Sequence, residues 1–355
     1  MGLRAAVEQR VGLGQEPRDR WGSLLGIASW IYWGAVELRN RWYDKGMGVR
    51  KLPAPVLSVG NLSVGGTGKT PLVMMLARKF REKGLEVAVL SRGYGRVRGV
   101  GVVEVSRGQG SRVPVSVAGD EPYMMAQGLQ GVRVWVGRDR FKAGMAAWRA
   151  ARPDLFIMDD GFQHRSLHRD LDLVVARSLR PWGNGRLLPA GPLREPLASL
   201  QRAHLLVLTG TWDREDATPP RLEGVRVPVL RASLSPKTLR LMNSEQVYPL
   251  QILRGKRAGL VCAIGQPDGF RQMVRGLGAE VGPCLFFPDH HWYTPQDVAL
   301  IQAMAREVEL VLTTGKDIWK LMEAGPELPR LMVLEVGFEP EREDVLEAVL
   351  RRLPL

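Results

Sequence analysis

A glycine-rich loop near residue 65 constrains the fold of this chain more than any other feature. An apolar run (VLSVG, 56–60) precedes the loop and a helical pattern follows it; the loop reads Ser63, Val64, Gly65, Gly66, Thr67, Gly68, Lys69, Thr70. Strand, glycine-rich loop and helix in this order predict a P-loop, in which backbone N–H groups turn toward a phosphate. Lys69 would reach the β- and γ-phosphates of a nucleoside triphosphate, and Thr70 would hold Mg²⁺. The strict pattern has glycine where Ser63 stands, so the match is incomplete.

The apolar runs along the chain predict an α/β fold with a mostly parallel sheet. After the P-loop, continuous apolar runs lie at 87–90, 133–136, 155–160, 171–176 and 204–210. A second series lies at 259–264, 283–287, 310–314 and 331–336. Strands that are apolar on both faces are typical of parallel sheets that helices cover on both sides.

The two series of strands predict two α/β/α domains. The P-loop domain would occupy 51–230, and a smaller Rossmann-like C-terminal α/β domain would occupy 257–355. Between them, a polar, proline-bearing stretch predicts a β linker over 231–256. Residues 1–50 would form an N-terminal helical region attached to the core. In this interpretation the active site lies in the cleft between the domains.

The charge of the chain suggests an anionic partner. Its 355 residues include 50 Lys and Arg against 37 Asp and Glu, a formal net charge of +13. Nucleic acid, acidic phospholipid and a phosphorylated small molecule fit this charge equally well. Cys262 and Cys284 form no CxxC motif, which argues against a zinc site or a disulfide framework and fits a reducing compartment.

The most apolar run of the chain, residues 22–36, is too short to span a bilayer as a helix, which takes roughly 20 residues. Steps of three and four residues place one apolar face on a helix formed by Trp21, Leu24, Ala28, Ile31, Ala35 and Leu38. Basic residues bracket the run at Arg20, Arg39, Arg41 and Lys45. Such a helix fits contact with a membrane interface. The alternative is a helix that packs on its own domain and turns a basic face to solvent.

Two pairs of adjacent carboxylates are candidate functional residues. Asp159 and Asp160 end one run, where a P-loop protein needs an acidic partner for Mg²⁺, and the sequence does not say which of them contacts the metal. Asp120 and Glu121 stand in a tight loop before a helix, where either could orient a hydroxyl nucleophile or cap the helix.

Arginines in glycine- or proline-bearing loops form a further group of candidates. Arg92, Arg138 and Arg194 each follow a predicted strand or stand in such a loop. A guanidinium can bind a phosphate through two hydrogen bonds, so substrate contacts are one interpretation and surface charge is the other. His290 and His291 are adjacent in a loop, and without further Cys or His nearby they do not predict a metal site.

Taken together, these segments resemble the tetraacyldisaccharide 4′-kinase family of lipid A biosynthesis. The resemblance rests on motifs in the order GNLSVGGTGKTP (60–71), LSRGYGR (90–96), GDEP (119–122), DDGFQH (159–164), RDLDLVV (169–175), LLPAGPLRE (187–195) and PDH (288–290). It covers the chain from the N-terminal helix to about Lys320. It implies a kinase that uses ATP and Mg²⁺ to phosphorylate the 4′-hydroxyl of tetraacyldisaccharide 1-phosphate, giving lipid IVA, and that sits peripherally at the cytoplasmic face of the bacterial inner membrane.

The resemblance also implies roles for individual residues. Asp120 would act on the acceptor hydroxyl with His290 as its partner. In the two-domain interpretation His290 faces Asp120 across the cleft, and domain closure on substrate would complete the pair. Lys69 would neutralise phosphate charge, aided by Arg194. The metal region would include Asp159, Asp160 and Glu195. The family often has glutamate where this chain has Gly315, which leaves the role of that position open.

Two interpretations from other classes compete with the kinase. One is a basic P-loop ATPase that binds nucleic acid, but no recognised nucleic-acid module supports it, so no nucleic-acid partner is expected. The other is a nucleotide-gated membrane adaptor without catalysis, in which Asp120 and His290 would have no role. The expected partners are therefore the lipid substrate and a membrane surface, and a monomer is favoured.

Overall fold

A mixed sheet of 13 strands runs through the protein. The computed structural model describes residues 20–96, 101–210, 226–242, 244, 246–325 and 330–355, with side chains from Leu24 onward. Residues 1–19, the polar stretch 211–225 and the side chain of Trp21 lie outside the described part, so the predictions made for them are not addressed by it.

The first half of the chain alternates helices and strands. Its elements are α1 (Arg20–Asp44), β1 (Val56–Gly60), α2 (Lys69–Glu82), β2 (Val87–Ser91), β3 (Val103–Arg107), α3 (Val115–Ala118), α4 (Asp120–Gly128), β4 (Arg133–Val136), α5 (Arg140–Ala151), β5 (Leu155–Asp159), β6 (Leu171–Arg177), a 3₁₀ helix (Leu197–Arg202) and β7 (Leu205–Thr209).

The second half continues the alternation. Its elements are β8 (Val229–Leu241), β9 (Val247–Tyr248), a 3₁₀ helix (Leu250–Leu253), β10 (Arg257–Cys262), α6 (Pro267–Gly276), β11 (Glu280–Phe286), α7 (Pro295–Ala305), β12 (Leu310–Thr314), α8 (Ile318–Glu323), β13 (Leu331–Pro340) and α9 (Glu343–Leu350).

The strand order is β11-β10-β12-β13-β8-β7-β6-β1-β5-β2-β4-β3, with β9 beside β8. Pairing is parallel throughout except at β13–β8, β4–β3 and β8–β9. Every residue of β1, β2, β5 and β7 is buried, which is why these strands read as continuous apolar runs. The predicted α/β fold with a mostly parallel sheet is confirmed.

The two halves are joined through the long strand β8. It pairs in parallel with β7 on one side and antiparallel with β13 on the other, so the sheet is continuous across the predicted linker. The last helix then returns to the first half, where Leu346, Val349 and Leu350 pack into the core beside α2. The predicted unit 257–355 therefore ends in a segment that packs on the other half, and the domain division stays a prediction.

Helix α1 has one face on the protein and one face in solvent. Val36 and Asn40 are buried against the body. The large apolar residues of the opposite side are 40–73% exposed and comprise Leu24, Ile27, Trp30, Ile31, Trp33, Leu38 and Trp42. The alternative in which the apolar stripe packs on its own domain is therefore wrong for this face. None of the described helices combines the length and apolarity that crossing a membrane requires.

Candidate active site

A cavity of about 2680 Å³ opens at the carboxyl ends of the central strands. Both halves of the chain line it, the first through the P-loop and the loops after β2 and β5, the second through the loops after β10, β11 and β12. Ligands of open parallel sheets bind at this edge, beyond the carboxyl ends of the strands. The position of the cavity thus follows from the sheet.

The P-loop forms one wall of this cavity. Residues Val64 to Thr70 all line it, whereas Ser63 lies behind it, buried and bridged to Leu193. Gly68 has φ +83, a conformation that favours glycine, and directly precedes α2. No side chain caps the start of α2, so its first N–H groups are available to an anion.

Asp160 binds the P-loop lysine. Its carboxylate lies 3.2 Å from Lys69 Nζ and accepts hydrogen bonds of 2.9 and 3.0 Å from Arg194. Burial opposes ionisation, but the charges of Lys69 and Arg194 hold the pKa of Asp160 well below its usual range. Asp160 is therefore an ionised partner of two cations.

Asp159 is in a different environment from its neighbour. Its Oδ2 accepts a hydrogen bond from Ser91 Oγ at 3.1 Å, whereas its buried Oδ1 has no partner. Burial, with the nearby charges of Glu121 and Asp160, raises the pKa of Asp159 to about 7. A buried carboxylate oxygen without a donor fits a cation at this strand end, so the residues present are compatible with Mg²⁺. Across the described residues, no group of three or more His, Cys, Asp or Glu could hold a metal by itself.

Glu195 has a different set of hydrogen-bond partners from Asp159 and Asp160. Its side chain is fully buried, and it accepts hydrogen bonds from Arg39 at 2.8 Å, Arg202 at 2.6 Å and Asn40 at 3.3 Å. Because both carboxylate oxygens already have donors, this placement gives no support to the metal role that the resemblance implied. The metal role of Glu195 stays a prediction.

Asp120 and His290 come together from opposite halves of the chain. Asp120 starts α4 and is 2% exposed; His290 follows β11, and its Nδ1 lies 2.9 Å from Asp120 Oδ2. A Cβ at Gly95 would lie 3.2 Å from Asp120 Oδ1, so a glycine there leaves room for the carboxylate. His290 and Gly95 line the cavity, and Asp120 lies directly behind them. Although burial opposes both charges, their hydrogen bond lowers the pKa of Asp120 and raises the pKa of His290. The pair is thus an ionised carboxylate beside a readily protonated imidazole.

Two lysines that sequence reasoning missed surround Asp120. Lys316 Nζ lies 2.9 Å from Asp289, 3.4 Å from Glu121 and 3.7 Å from Asp120. Lys320 is almost fully buried, and its Nζ lies 3.5 Å from Asp120. The Thr-Gly-Lys-Asp sequence at 314–317 was the available signal, but only the fold brings it to α4.

The candidate arginines separate into two groups. Arg92 and Arg194 line the cavity, whereas Arg138 is exposed and does not. Arg140, two positions later, lines the cavity instead; it is 4% exposed, and its Nε has no partner. Burial lowers the pKa of Arg140. In the sequence, Arg140 is the second arginine of Gly-Arg-Asp-Arg. It is the first residue of α5, and its side chain lies on the buried face of that helix.

A P-loop wall, an unpaired carboxylate oxygen near it and an acid–histidine pair at the same cavity define the class as P-loop phosphotransferases. These enzymes need a phosphate cradle and a group that orients the acceptor in one site. Comparison with known proteins gives the family. The family model described as "Tetraacyldisaccharide-1-P 4'-kinase" matches residues 21–354, and the chain belongs to that family.

Individual relatives match over nearly the whole chain. The tetraacyldisaccharide 4′-kinase of Geobacter sulfurreducens is 39% identical, over 94% of this chain and 93% of its own. The Aquifex aeolicus protein of the same name is 38% identical, over 92% of this chain and 96% of its own. A crystal structure of that enzyme in complex with ATP superimposes with a TM-score of 0.75 and 38% identity, covering 93% of this chain and 98% of that one.

Proposed function

We propose that this protein transfers the γ-phosphate of ATP to the 4′-hydroxyl of tetraacyldisaccharide 1-phosphate. The hydroxyl oxygen attacks the γ-phosphorus, the bond to the ADP oxygen breaks, and the hydroxyl proton passes to the Asp120–His290 pair. The single observation that carries this proposal is the 2.9 Å contact between His290 and Asp120 at the cavity that the P-loop lines. A protein that only bound nucleotide would have no use for this pair.

In the proposed reaction the P-loop binds the triphosphate. The free N–H groups at the start of α2 face the phosphates, and Lys69 neutralises their charge. Asp160 holds Lys69 at 3.2 Å, which fixes the ammonium before substrate arrives. Since phosphoryl transfer has a loose transition state, this positioning contributes more than the strength of the base.

Thr70 and Asp159 are the residues that would hold Mg²⁺. The unpaired Oδ1 of Asp159 supports this choice, and the two cations already bound to Asp160 argue for a supporting role of that carboxylate. When bound, Mg²⁺ neutralises charge on the β- and γ-phosphate oxygens. Asp159 would be ionised by the cation, since its pKa lies near neutrality.

Arg92 and Arg140 are the proposed contacts for the anionic headgroup of the lipid. Both line the cavity, and the unpartnered Nε of Arg140 is an available donor. A buried guanidinium with a free N–H binds phosphate more strongly than an exposed one. Arg140 replaces Arg138 in this proposal because Arg138 does not line the cavity.

The exposed apolar side of α1 is the proposed membrane contact. An amphiphile with several acyl chains stays in the bilayer, so the enzyme must meet it at the interface. Trp30 and Trp33 stack edge to face on this side, and tryptophans are enriched at membrane interfaces. The proposed location is the cytoplasmic face of the bacterial inner membrane.

A two-domain arrangement with closure on substrate is also proposed. The first domain would span 51–230 together with the returning segment from 337, and the second would span 257–336, joined by 231–256. Asp120 and His290 come from different domains in this division and lie 2.9 Å apart, so opening of the cleft would separate the pair and closure would restore it. Cleft widths in nucleotide-free and nucleotide-bound crystals would test it, and identical widths would count against closure.

The experiment that tests the proposed function measures lipid phosphorylation directly. Purified protein is incubated with γ-labelled ATP, Mg²⁺ and tetraacyldisaccharide 1-phosphate in detergent micelles, and label in the lipid is counted. Wild type should label the lipid, and Asp120→Asn, which keeps the shape of the side chain, should reduce the rate at least about 100-fold. Asp268→Asn on the exposed start of α6 is the matched control. Nucleotide binding without labelled lipid would refute the proposal.

A further inference from the structure

We propose that helix α1 contributes to the reaction by positioning Arg194, through Tyr32, Arg39 and Glu195. The loop 187–195 carries Arg194 and lies between α1 and the P-loop, with hydrogen bonds to both. This inference rests on the proposed kinase function and assigns these three side chains a part in it. They do not touch the reacting atoms, so they are positioning residues.

On its inner side the loop is attached to the start of the P-loop. The Arg194 N–H donates to the Leu62 carbonyl at 2.8 Å, and the Val64 N–H donates to the Pro192 carbonyl at 2.9 Å. Ser63 and Leu193 form a bridge between these two bonds. The backbone of Arg194 is therefore in register with the segment that enters the phosphate loop.

On its outer side the same loop is attached to α1. The Tyr32 hydroxyl donates to the Arg194 carbonyl at 2.9 Å, and the Ser29 hydroxyl donates to the Leu187 carbonyl at 2.9 Å. Both side chains lie on the face of α1 opposite to its exposed apolar side. Helix α1 thus fixes the carbonyl of Arg194 while the P-loop segment fixes its N–H.

Glu195 provides the strongest part of this attachment. It is fully buried, and two of its three donors, Arg39 at 2.8 Å and Asn40 at 3.3 Å, come from α1. The third, Arg202 at 2.6 Å, comes from the 3₁₀ helix after the loop. A buried carboxylate must keep such partners, because an unpaired buried charge is strongly unfavourable. The charge of Glu195 therefore requires α1 and the loop to stay together.

The far end of Arg194 reaches the phosphate site. Its guanidinium donates two hydrogen bonds to Asp160, whose carboxylate lies 3.2 Å from Lys69. Loss of the outer attachment would free one side of the loop and let the guanidinium shift. Displacements of about 1 Å at such sites can cost two orders of magnitude in rate. A shift of α1 would therefore change the rate by moving Arg194, Asp160 and Lys69.

A double-mutant cycle tests the inference. Glu195→Gln, Tyr32→Phe and Arg39→Met are each made in the wild type and in an Arg194→Met background. We expect Glu195→Gln to lower kcat for lipid phosphorylation about tenfold in the wild type, with KM for ATP changed less, and to have little further effect once Arg194 is Met. A merely structural role would lower kcat by the same factor in both backgrounds, and that result would overturn the inference.

Matched controls are available on the same helix. Glu37 and Arg41 form an exposed pair at 3.0 Å that does not reach the loop, so Glu37→Gln and Arg41→Met should leave kcat unchanged. If Glu195→Gln does not fold, Tyr32→Phe removes one hydroxyl only and keeps the cycle measurable. If Glu195→Gln needed a higher Mg²⁺ concentration than the wild type for half-maximal activity, Glu195 would belong to the metal site, and the inference would be overturned.

Nucleotide binding separates failure of the inference from failure of the proposed function. The dissociation constant of trinitrophenyl-ATP needs no lipid acceptor, and Glu195→Gln should raise it about threefold in the wild type but not in Arg194→Met. Wild type that binds nucleotide without phosphorylating lipid would refute the kinase proposal, while the binding cycle would still report on Arg194. If Glu195→Gln changed the dissociation constant by the same factor in the wild type and in Arg194→Met, or changed it in neither, the positioning role would be refuted.

Discussion

At the scale of single residues, the site is organised by opposite charges that the fold brings into contact. Asp160 is held ionised by Lys69 and Arg194, whereas Asp159 keeps one oxygen unpaired and a raised pKa. Two neighbours in sequence thus have opposite protonation tendencies because one faces cations and the other is buried next to carboxylates. This separation supports a division of labour between the two carboxylates.

His164 should make the free energy of unfolding depend on pH. Burial, together with the charge of Arg140, lowers the pKa of His164 to about 4, below the ordinary value near 6.5. Between these two values the unfolded chain binds more protons, so stability should decrease as pH falls from about 6.5 to 4. Urea unfolding across this range should show a shallower decrease for His164→Asn. Parallel curves for the two proteins would show that another group is responsible.

At the scale of elements, α1 has two faces with different surroundings. One face binds the loop 187–195 through Tyr32, Arg39 and Asn40, and the other exposes large apolar side chains. Exposed apolar patches on one side of a helix mark interaction surfaces. Of the apolar face that the sequence predicted, Leu24, Ile31 and Leu38 are exposed. The contacts of the opposite face involve polar residues whose partners lie more than 150 positions away.

Removing apolar side chains from α1 should weaken vesicle binding without affecting nucleotide binding. Trp30 and Ile31 are 72% and 71% exposed, and burying such a side chain is worth about 2 kcal/mol. The double variant Trp30→Ser with Ile31→Ser should reduce partitioning onto anionic phospholipid vesicles at least about tenfold in a sedimentation assay. Val247→Ser, an exposed apolar residue on β9, is the control. Unreduced partitioning would exclude this face as the membrane contact.

At the scale of the whole molecule, the C-terminal helix α9 packs on the half of the chain that contains the P-loop. After β13 crosses beside β8, α9 packs on α2, the helix that starts with Lys69. Lys79 forms ion pairs with Glu343 and Glu347 along this contact, and Leu346 is completely buried. The P-loop helix is therefore held by the last helix of the chain.

Truncating one side chain of α9 should destabilise the half that contains the P-loop. Leu346→Ala removes a buried side chain and should cost about 2–4 kcal/mol of unfolding free energy. Hydrogen exchange should then show reduced protection in α2 as well as in α9, because the two helices pack together. Leu355→Ala, 59% exposed at the C-terminus, should change the unfolding free energy by less than about 0.5 kcal/mol. Loss of protection confined to α9 would contradict the coupling.

The sequence by itself determined the local features of this protein. Glycines, Lys69 and Thr70 stand next to each other in the P-loop, and the buried strands are continuous apolar runs, so both are legible without a fold. The order of motifs was enough to indicate the family. These features depend on neighbours in the chain, and short-range patterns record them directly.

The tertiary structure alone decided which distant residues meet. His290 and Lys320 reach Asp120 across 170 and 200 positions, and α9 returns to α2, because β8 and β13 join the two halves into one sheet. The same packing occupied both oxygens of Glu195 with donors and left one oxygen of Asp159 free. Whether a carboxylate binds a cation or pairs with arginines depends on what surrounds it in space, and no local pattern in the sequence specifies that environment.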